Sequence, residues 1–167
     1  MGKPDAWESS QGDDSFHAWQ LDNGTWMAFY GSHNQGYFNA SSEWQVGLAT
    51  APTLAGPWRR CHGLNPAAYI EHPEGIENPI VTRTMDKKRY VAVFDALMKN
   101  EIHGKGDYVG LTQSKDGIHF SPAQYVRLNA TGSECGGPVR TPQGLVPEPG
   151  KCKGCYSMLC KWGKAHI

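Results

Sequence analysis

The sequence predicts an all-β chain folded as β-propeller blades of four antiparallel strands, and three observations carry that prediction. First, 20 Gly and 11 Pro account for 31 of the 167 residues, against about 12% for the two together in an ordinary chain. With 11% aromatic residues, this is the composition of short strands joined by tight turns. Second, hairpin-like segments recur at a nearly constant spacing, Trp26 matching Tyr90, Val46 matching Val109 and Tyr90 matching Tyr156. Third, no segment sustains the three- and four-residue apolar spacing of an amphipathic helix.

The first hairpin reads as a strand over 16–21, a turn at Asp22-Asn23-Gly24, and a second strand from Trp26 through Met27, Ala28, Phe29 and Tyr30. Asn-Gly is the strongest short hairpin signal, because both residues tolerate the positive φ that such a turn requires. A matching pair comes later in the chain: a strand over 79–83, a turn through Met85-Asp86-Lys87-Lys88, and a strand over 89–94. In this match Trp26-Met27-Ala28-Phe29 aligns with Tyr90-Val91-Ala92-Val93. The third strand repeats as Val46-Gly47-Leu48-Ala49-Thr50 and Val109-Gly110-Leu111-Thr112-Gln113. Each is followed by a turn and an aromatic, Trp58 in one unit and Phe120 in the other, and then by a short fourth strand near 59–62 and 124–128.

A third unit begins at 137–141 and continues at 155–159, where Tyr156 takes the place of Tyr90. Four strands per unit at such a period is the pattern of propeller blades. The chain therefore divides into a polar N-terminal segment (1–12), a blade (13–72), a second blade (73–132) and an incomplete third (133–167).

Charge narrows the function. Sixteen Lys+Arg balance 16 Asp+Glu, whereas nucleic-acid or anionic-membrane surfaces carry a clustered basic excess. Neither partner is expected, and a neutral ligand such as a carbohydrate suits the balance better. There is no apolar run of the length that spans a membrane. The segment 1–20 is polar and acidic and holds no signal-type apolar stretch. Sequons at Asn23-Gly24-Thr25, Asn39-Ala40-Ser41 and Asn129-Ala130-Thr131 lean instead toward an extracellular or secretory location. Oligomeric state is not readable.

Three segments carry a family resemblance. Val46 to Trp58, ending Thr53-Leu54-Ala55-Gly56-Pro57-Trp58, resembles a blade edge of the five-bladed propeller glycosidases, most closely glycoside hydrolase family 43 and its arabinanase and xylosidase relatives. Ile76-Glu77-Asn78-Pro79-Ile80, before a strand pair, is similar to that family's glutamate-x-proline segment. The turn from Ser114 through Lys115, Asp116 and Gly117 to Phe120 is of a kind common in these propellers. The resemblance implies a five-bladed, glycosidase-type propeller of which about two and a half blades are present, since five blades of this length need roughly 320 residues.

Glycoside hydrolysis requires two carboxyl groups flanking the scissile bond. Glu77 lies just before the innermost strand of the second unit, and the corresponding slot of the first unit is Asp13, with Asp14 adjacent. The internal repeat thus puts carboxylates in equivalent axial slots. The resemblance implies that Glu77 is the general acid and that Asp14 or Asp13 is the auxiliary aspartate tuning it. The family's base would come from a preceding blade. Glu134, before Cys135, resembles the glutamate-cysteine motif of family 32 and is a rival acid.

Candidate sugar contacts are His17, Trp19, His33, Asp95 and Arg140, because rings stack on aromatics while Arg, His and carboxylates bind hydroxyls. Phe94 lies near the same strands. Trp26, Trp44 and Trp58 read as packing between blades.

The five cysteines, Cys61, Cys135, Cys152, Cys155 and Cys160, lack a standard zinc spacing. A disulfide, such as Cys152 with Cys155 or Cys135 with a partner, is the more natural reading in an oxidising compartment. No cofactor is expected and no metal ligands are assigned, a bound metal not being readable from the sequence. The functional expectation is hydrolysis of O-glycosidic bonds in arabinan- or xylan-like saccharides. The alternative is a non-catalytic carbohydrate-binding or structural propeller module.

Overall fold

The computed structural model describes residues 7–8, 14–33, 44–67, 76–96, 108–127, 142–148, 150, 156–160 and 163–166. Their strands form three antiparallel sheets. The first runs β1 (Asp14–Gln20), β2 (Trp26–His33), β3 (Trp44–Ala51) and β4 (Arg59–Arg60), in that spatial order. The second runs β5 (Ile76–Arg83), β6 (Tyr90–Ala96), β7 (Tyr108–Ser114) and β8 (Gln124–Arg127), again in chain order. The third has β9 (Pro142–Pro147), β10 (Tyr156–Cys160) and β11 (Gly163–His166), with β10 central. One 3-10 turn, His62–Leu64, is the only helical element among the described residues.

Two four-stranded meanders and the start of a third are the blade pattern expected from the repeat. Within the third unit, β9 starts at Pro142, and the strand expected over 137–141 lies outside the described residues. The strand β11 is not legible in the sequence, because Gly163-Lys164-Ala165-His166 shows no alternation of large apolar residues.

The hairpin turns follow their residue chemistry. Gly24 takes φ +84°, and the Asn23 side chain accepts a hydrogen bond from the Thr25 amide at 3.0 Å. In the matching turn Lys87 takes φ +59°, and the Asp86 carboxylate accepts from the Thr84 hydroxyl at 2.7 Å and the Lys88 amide at 3.0 Å. The Gly56-Pro57-Trp58 edge closes on itself: the Gly56 amide donates to Thr53 O at 2.9 Å and the Trp58 indole N–H to Leu54 O at 3.2 Å.

Strand alternation decides what each sheet face buries. Trp19, Met27, Phe29, Val46 and Leu48 point from the first sheet into a core shared with Val81, Tyr90, Ala92, Phe94 and Ala123 of the second. Phe29 meets Trp19 edge-on at 4.8 Å between ring centroids, Phe120 at 4.8 Å and Phe94 at 5.9 Å. The opposite face of the second sheet supplies Val93 and Val109 to a smaller core with Leu145 and Met158 of the third, flanked by Ile80, Val91, Leu111 and Tyr156. Each sheet therefore packs face to face on the next, as blades do.

On the far face of the first sheet, Tyr30 lies flat over Gly47, where a Cβ would come within 2.3 Å of the ring. The Tyr30 hydroxyl donates to the buried Glu8 carboxylate, which also accepts from Arg60 Nε at 2.9 Å, and Asn65 Nδ2 donates to the same hydroxyl at 3.0 Å. This polar cluster anchors residues 7–8 to the blade.

Candidate active site

The innermost strands β1 and β5 pack side by side and start at the same end of the molecule. Asp14 is the register partner of Gly31, and Glu77 is the register partner of Asp95. After each carboxylate the pairing breaks into a bulge, and it resumes at His17 opposite Phe29 and at Ile80 opposite Val93. Asp14 and Glu77 are thus equivalent positions.

The sequence put the equivalence at Asp13 because Trp26 and Tyr90, which begin the second strands, set the spacing. The connection between β1 and β2 runs over 21–25 and that between β5 and β6 over 84–89, one position longer. The innermost strands are therefore offset by one position fewer than the second strands. Asp13 itself lies outside the described residues.

Both bulges contain a left-handed residue. Ser15 has φ +53° and Asn78 has φ +52°, a conformation uncommon for residues other than glycine and costing on the order of 1–3 kcal/mol unless its surroundings enforce it. The two kinks touch. Ser15 Oγ donates to Asn78 Oδ1 at 2.7 Å, and Asn78 Nδ2 donates to Asp95 Oδ2 at 2.7 Å. Asp95 is only 3% exposed, so this bond lies in a low-dielectric setting, where a hydrogen bond is electrostatically stronger than in water.

Further along the same two strands, His17 Nε2 donates to Val81 O at 2.9 Å, tying β1 to β5 a second time. Burial pushes the His17 pKa below its ordinary value of 6.5, and the bond to Val81 only partly offsets this. The ring is therefore a neutral donor at pH 7.

Of the other expected contacts, Trp19 lies in the core between the first two blades, 7% exposed, and its indole N–H donates to Gly117 O at 3.2 Å. It is a packing residue there, not an open platform for a sugar ring, and Phe94 is fully buried in the same core. The alternation of β1 alone could not decide which face was the core. His33 ends β2, opposite Trp44 of β3; the side chains of Asp14 and Glu77 are outside the described set. Arg140, Glu134, Cys135, Cys152 and Cys155 lie outside the described residues, as does the Cys160 side chain. Cys61 is a free, half-buried thiol whose pKa burial raises. Among the described residues, no group of three or more His, Cys, Asp or Glu side chains could hold a metal ion.

Ser15 and Asn78 were not singled out from the sequence. The spacing that joins Asp14 to Glu77, and Val46 to Val109, also joins these two, and that signal was available.

Face-packed four-stranded meanders whose innermost strands converge at one end define part of a β-propeller. Comparison with solved structures agrees. The chain is similar to a protein described as a glycosidase from Bacteroides thetaiotaomicron VPI-5482, with a TM-score of 0.65 and 21% identity over 96% of this chain and 48% of that one. It is also similar to the exo-beta-1,3-galactanase from Phanerochaete chrysosporium, solved with galactose, with a TM-score of 0.54 and 16% identity over 93% of this chain and 35% of that one. The chain spans about half or less of the length of these structures. No family model matches the sequence, and no curated protein matches it. The resemblance read from the motifs therefore holds at the level of the fold: the chain is built as part of a β-propeller similar to those of these two proteins.

Proposed function

We propose that this chain carries two of the carboxylates of a glycoside hydrolase acting on a neutral oligo- or polysaccharide. In this reading Glu77 is the general acid and Asp14 orients it and tunes its proton affinity. What supports the reading is the pair of equivalent carboxylate positions at the converging starts of β1 and β5, each followed by a left-handed residue and joined through Ser15 and Asn78. Strained backbone held by a dedicated hydrogen bond clusters at sites where geometry matters more than stability. Of the carboxyl groups that cleaving a glycosidic bond requires, this reading supplies the proton donor and the carboxylate that tunes it, with the base coming from a preceding blade as the family resemblance implies.

Arabinan- and xylan-type saccharides are the substrates implied by the motif resemblance, and β-1,3-galactan joins them because one structural neighbour is a galactanase. The test is hydrolysis of aryl arabinofuranoside, xyloside and galactoside, alongside calorimetric titration with the matching oligosaccharides. Glu77→Gln is expected to lower kcat by about 10²–10⁴-fold on whichever substrate is turned over, the range for loss of general acid catalysis, with binding retained. Turnover unchanged in Glu77→Gln would remove Glu77 from the acid role. Saccharide binding without turnover in the parent protein would favour the non-catalytic carbohydrate-binding reading.

A further inference from the structure

The strongest unassigned feature is the side chain of Asn78. Its amide uses both ends at once: Oδ1 receives the Ser15 hydroxyl from the first blade, and Nδ2 is given to the Asp95 carboxylate within the second. Ser15 directly follows Asp14, and Asn78 directly follows Glu77. Both are left-handed, at φ +53° and +52°. The first blade has no counterpart to this arrangement, because Ser15 stands where Asn78 would be and Gly31 where Asp95 would be. A bond that only stiffened the blades would be expected to recur with the repeat.

We propose that Asn78 is a positioning residue: through its two hydrogen bonds it clamps both backbone kinks and so sets the placement of Asp14 relative to Glu77. The proposal rests on reading Glu77 as the acid and Asp14 as the carboxylate that orients and tunes it. Asn78 is suited to it on two grounds. Asparagine tolerates the left-handed region better than most residues, and its planar amide offers a donor and an acceptor in opposite directions. Ser15 supplies only one hydroxyl, so it cannot hold both partners in the same way.

The test uses the full chain. Asn78→Gly keeps the positive φ accessible and removes the amide. Ser15→Ala removes only the cross-blade donor and serves if Asn78→Gly does not fold. Turnover, KM and the backbone amide NMR signals of Asp14 and Ser15 are read together. The expected result is a kcat lowered about tenfold or more with KM within about threefold, and, in Asn78→Gly, shifted Asp14 and Ser15 signals although the substitution lies in the other blade; in Ser15→Ala the Glu77 and Asn78 signals are read in the same way. Asn78→Asp sets two carboxylates against each other and is expected to be as damaging. Adding Asp95→Asn restores one donor and one acceptor with roles exchanged, and is expected to recover most of the lost kcat.

Unmoved Asp14 and Ser15 signals would overturn the clamp whether or not the protein turns over any glycoside. So would shifted signals with unchanged kcat, or no recovery in the exchanged pair. Shifted signals in a parent protein that neither binds nor cleaves saccharide would leave the clamp standing as a structural device and would defeat the glycosidase reading instead.

Discussion

At the scale of single residues, the contacts that decide the structure are those where one side chain has no substitute. Gly117 sits at φ +74° in the turn that follows β7. A Cβ there would lie 2.7 Å from Leu21 Cδ2 and 3.0 Å from the Tyr90 ring. The backbone must come this close because Gly117 O accepts the Trp19 indole N–H. The turn is held in shape by Asp116. Burial alone would raise the Asp116 pKa, but hydrogen bonds from the His119 ring, the His119 and Ile118 amides and the Ser114 hydroxyl outweigh it and hold the carboxyl well below its usual range. Gly117→Ala therefore combines a disfavoured φ with overpacking and is expected to cost about 1–3 kcal/mol in denaturant unfolding, with Trp19 fluorescence reporting the disturbed contact. An unchanged midpoint would mean that the turn slides away freely from the first blade.

The residue scale is also where the sequence said least. Asp-Gly and Gly-Pro-Trp announce their turns through residue type. The left-handed state of Ser15 does not, since serine favours no such conformation by itself. It follows from the bulge that pairing with β2 imposes, and that bulge is visible only once the strands are registered. The same holds for the carboxylate slot: the repeat located it to within one position, and the shorter first turn moved it from Asp13 to Asp14.

At the scale of elements, β1 and β5 depend on each other. The strand β1 carries His17 toward Val81 and Trp19 toward Gly117, so its inward face is fastened to the second blade at two levels. Because burial lowers the His17 pKa, the unfolded chain binds more protons than the folded one just below pH 6.5. The contribution of His17 is complete above that pH and is lost as the pH falls toward the depressed folded value. Thermal unfolding between pH 7.5 and 5 is expected to show Tm falling on acidification, with a smaller fall in His17→Gln, which can still donate to Val81. Equal pH dependence in the two proteins would show that the remaining histidines account for it. The strands themselves were legible because their residues alternate. Which face was core was not, because β1 alternates His17 and Trp19 with Phe16 and Ala18, and both sets contain an aromatic ring.

At the scale of the molecule, the sheets form a row in which each packs on its neighbour, and among the described residues the two interfaces are unequal. The interface between the first and second blades buries Trp19, Phe29, Tyr90 and Phe94 and is reinforced by the hydrogen bonds of Ser15, His17 and Trp19. Among the described residues, the interface between the second and third buries two valines, Leu145 and Met158, and the Met85 amide donates across it to the Tyr156 hydroxyl at 3.2 Å. Aromatic side chains bury more area each than aliphatic ones, and in stacked repeats stability is close to a sum of unit and interface terms. The third sheet should therefore open first. Native-state hydrogen exchange is expected to show the amides of β2 and β6 exchanging only through global unfolding, and those of β9 and β10 through a smaller opening that leaves the first two blades intact. Phe29→Ala, with a typical core cost of about 3–5 kcal/mol, should lower the protection of β2 and β6 by that full amount. It should affect β9 and β10 much less, because their opening does not expose Phe29. Identical exchange free energies in all three sheets would mean that the blades unfold as one unit and that the inequality of their interfaces has no energetic consequence.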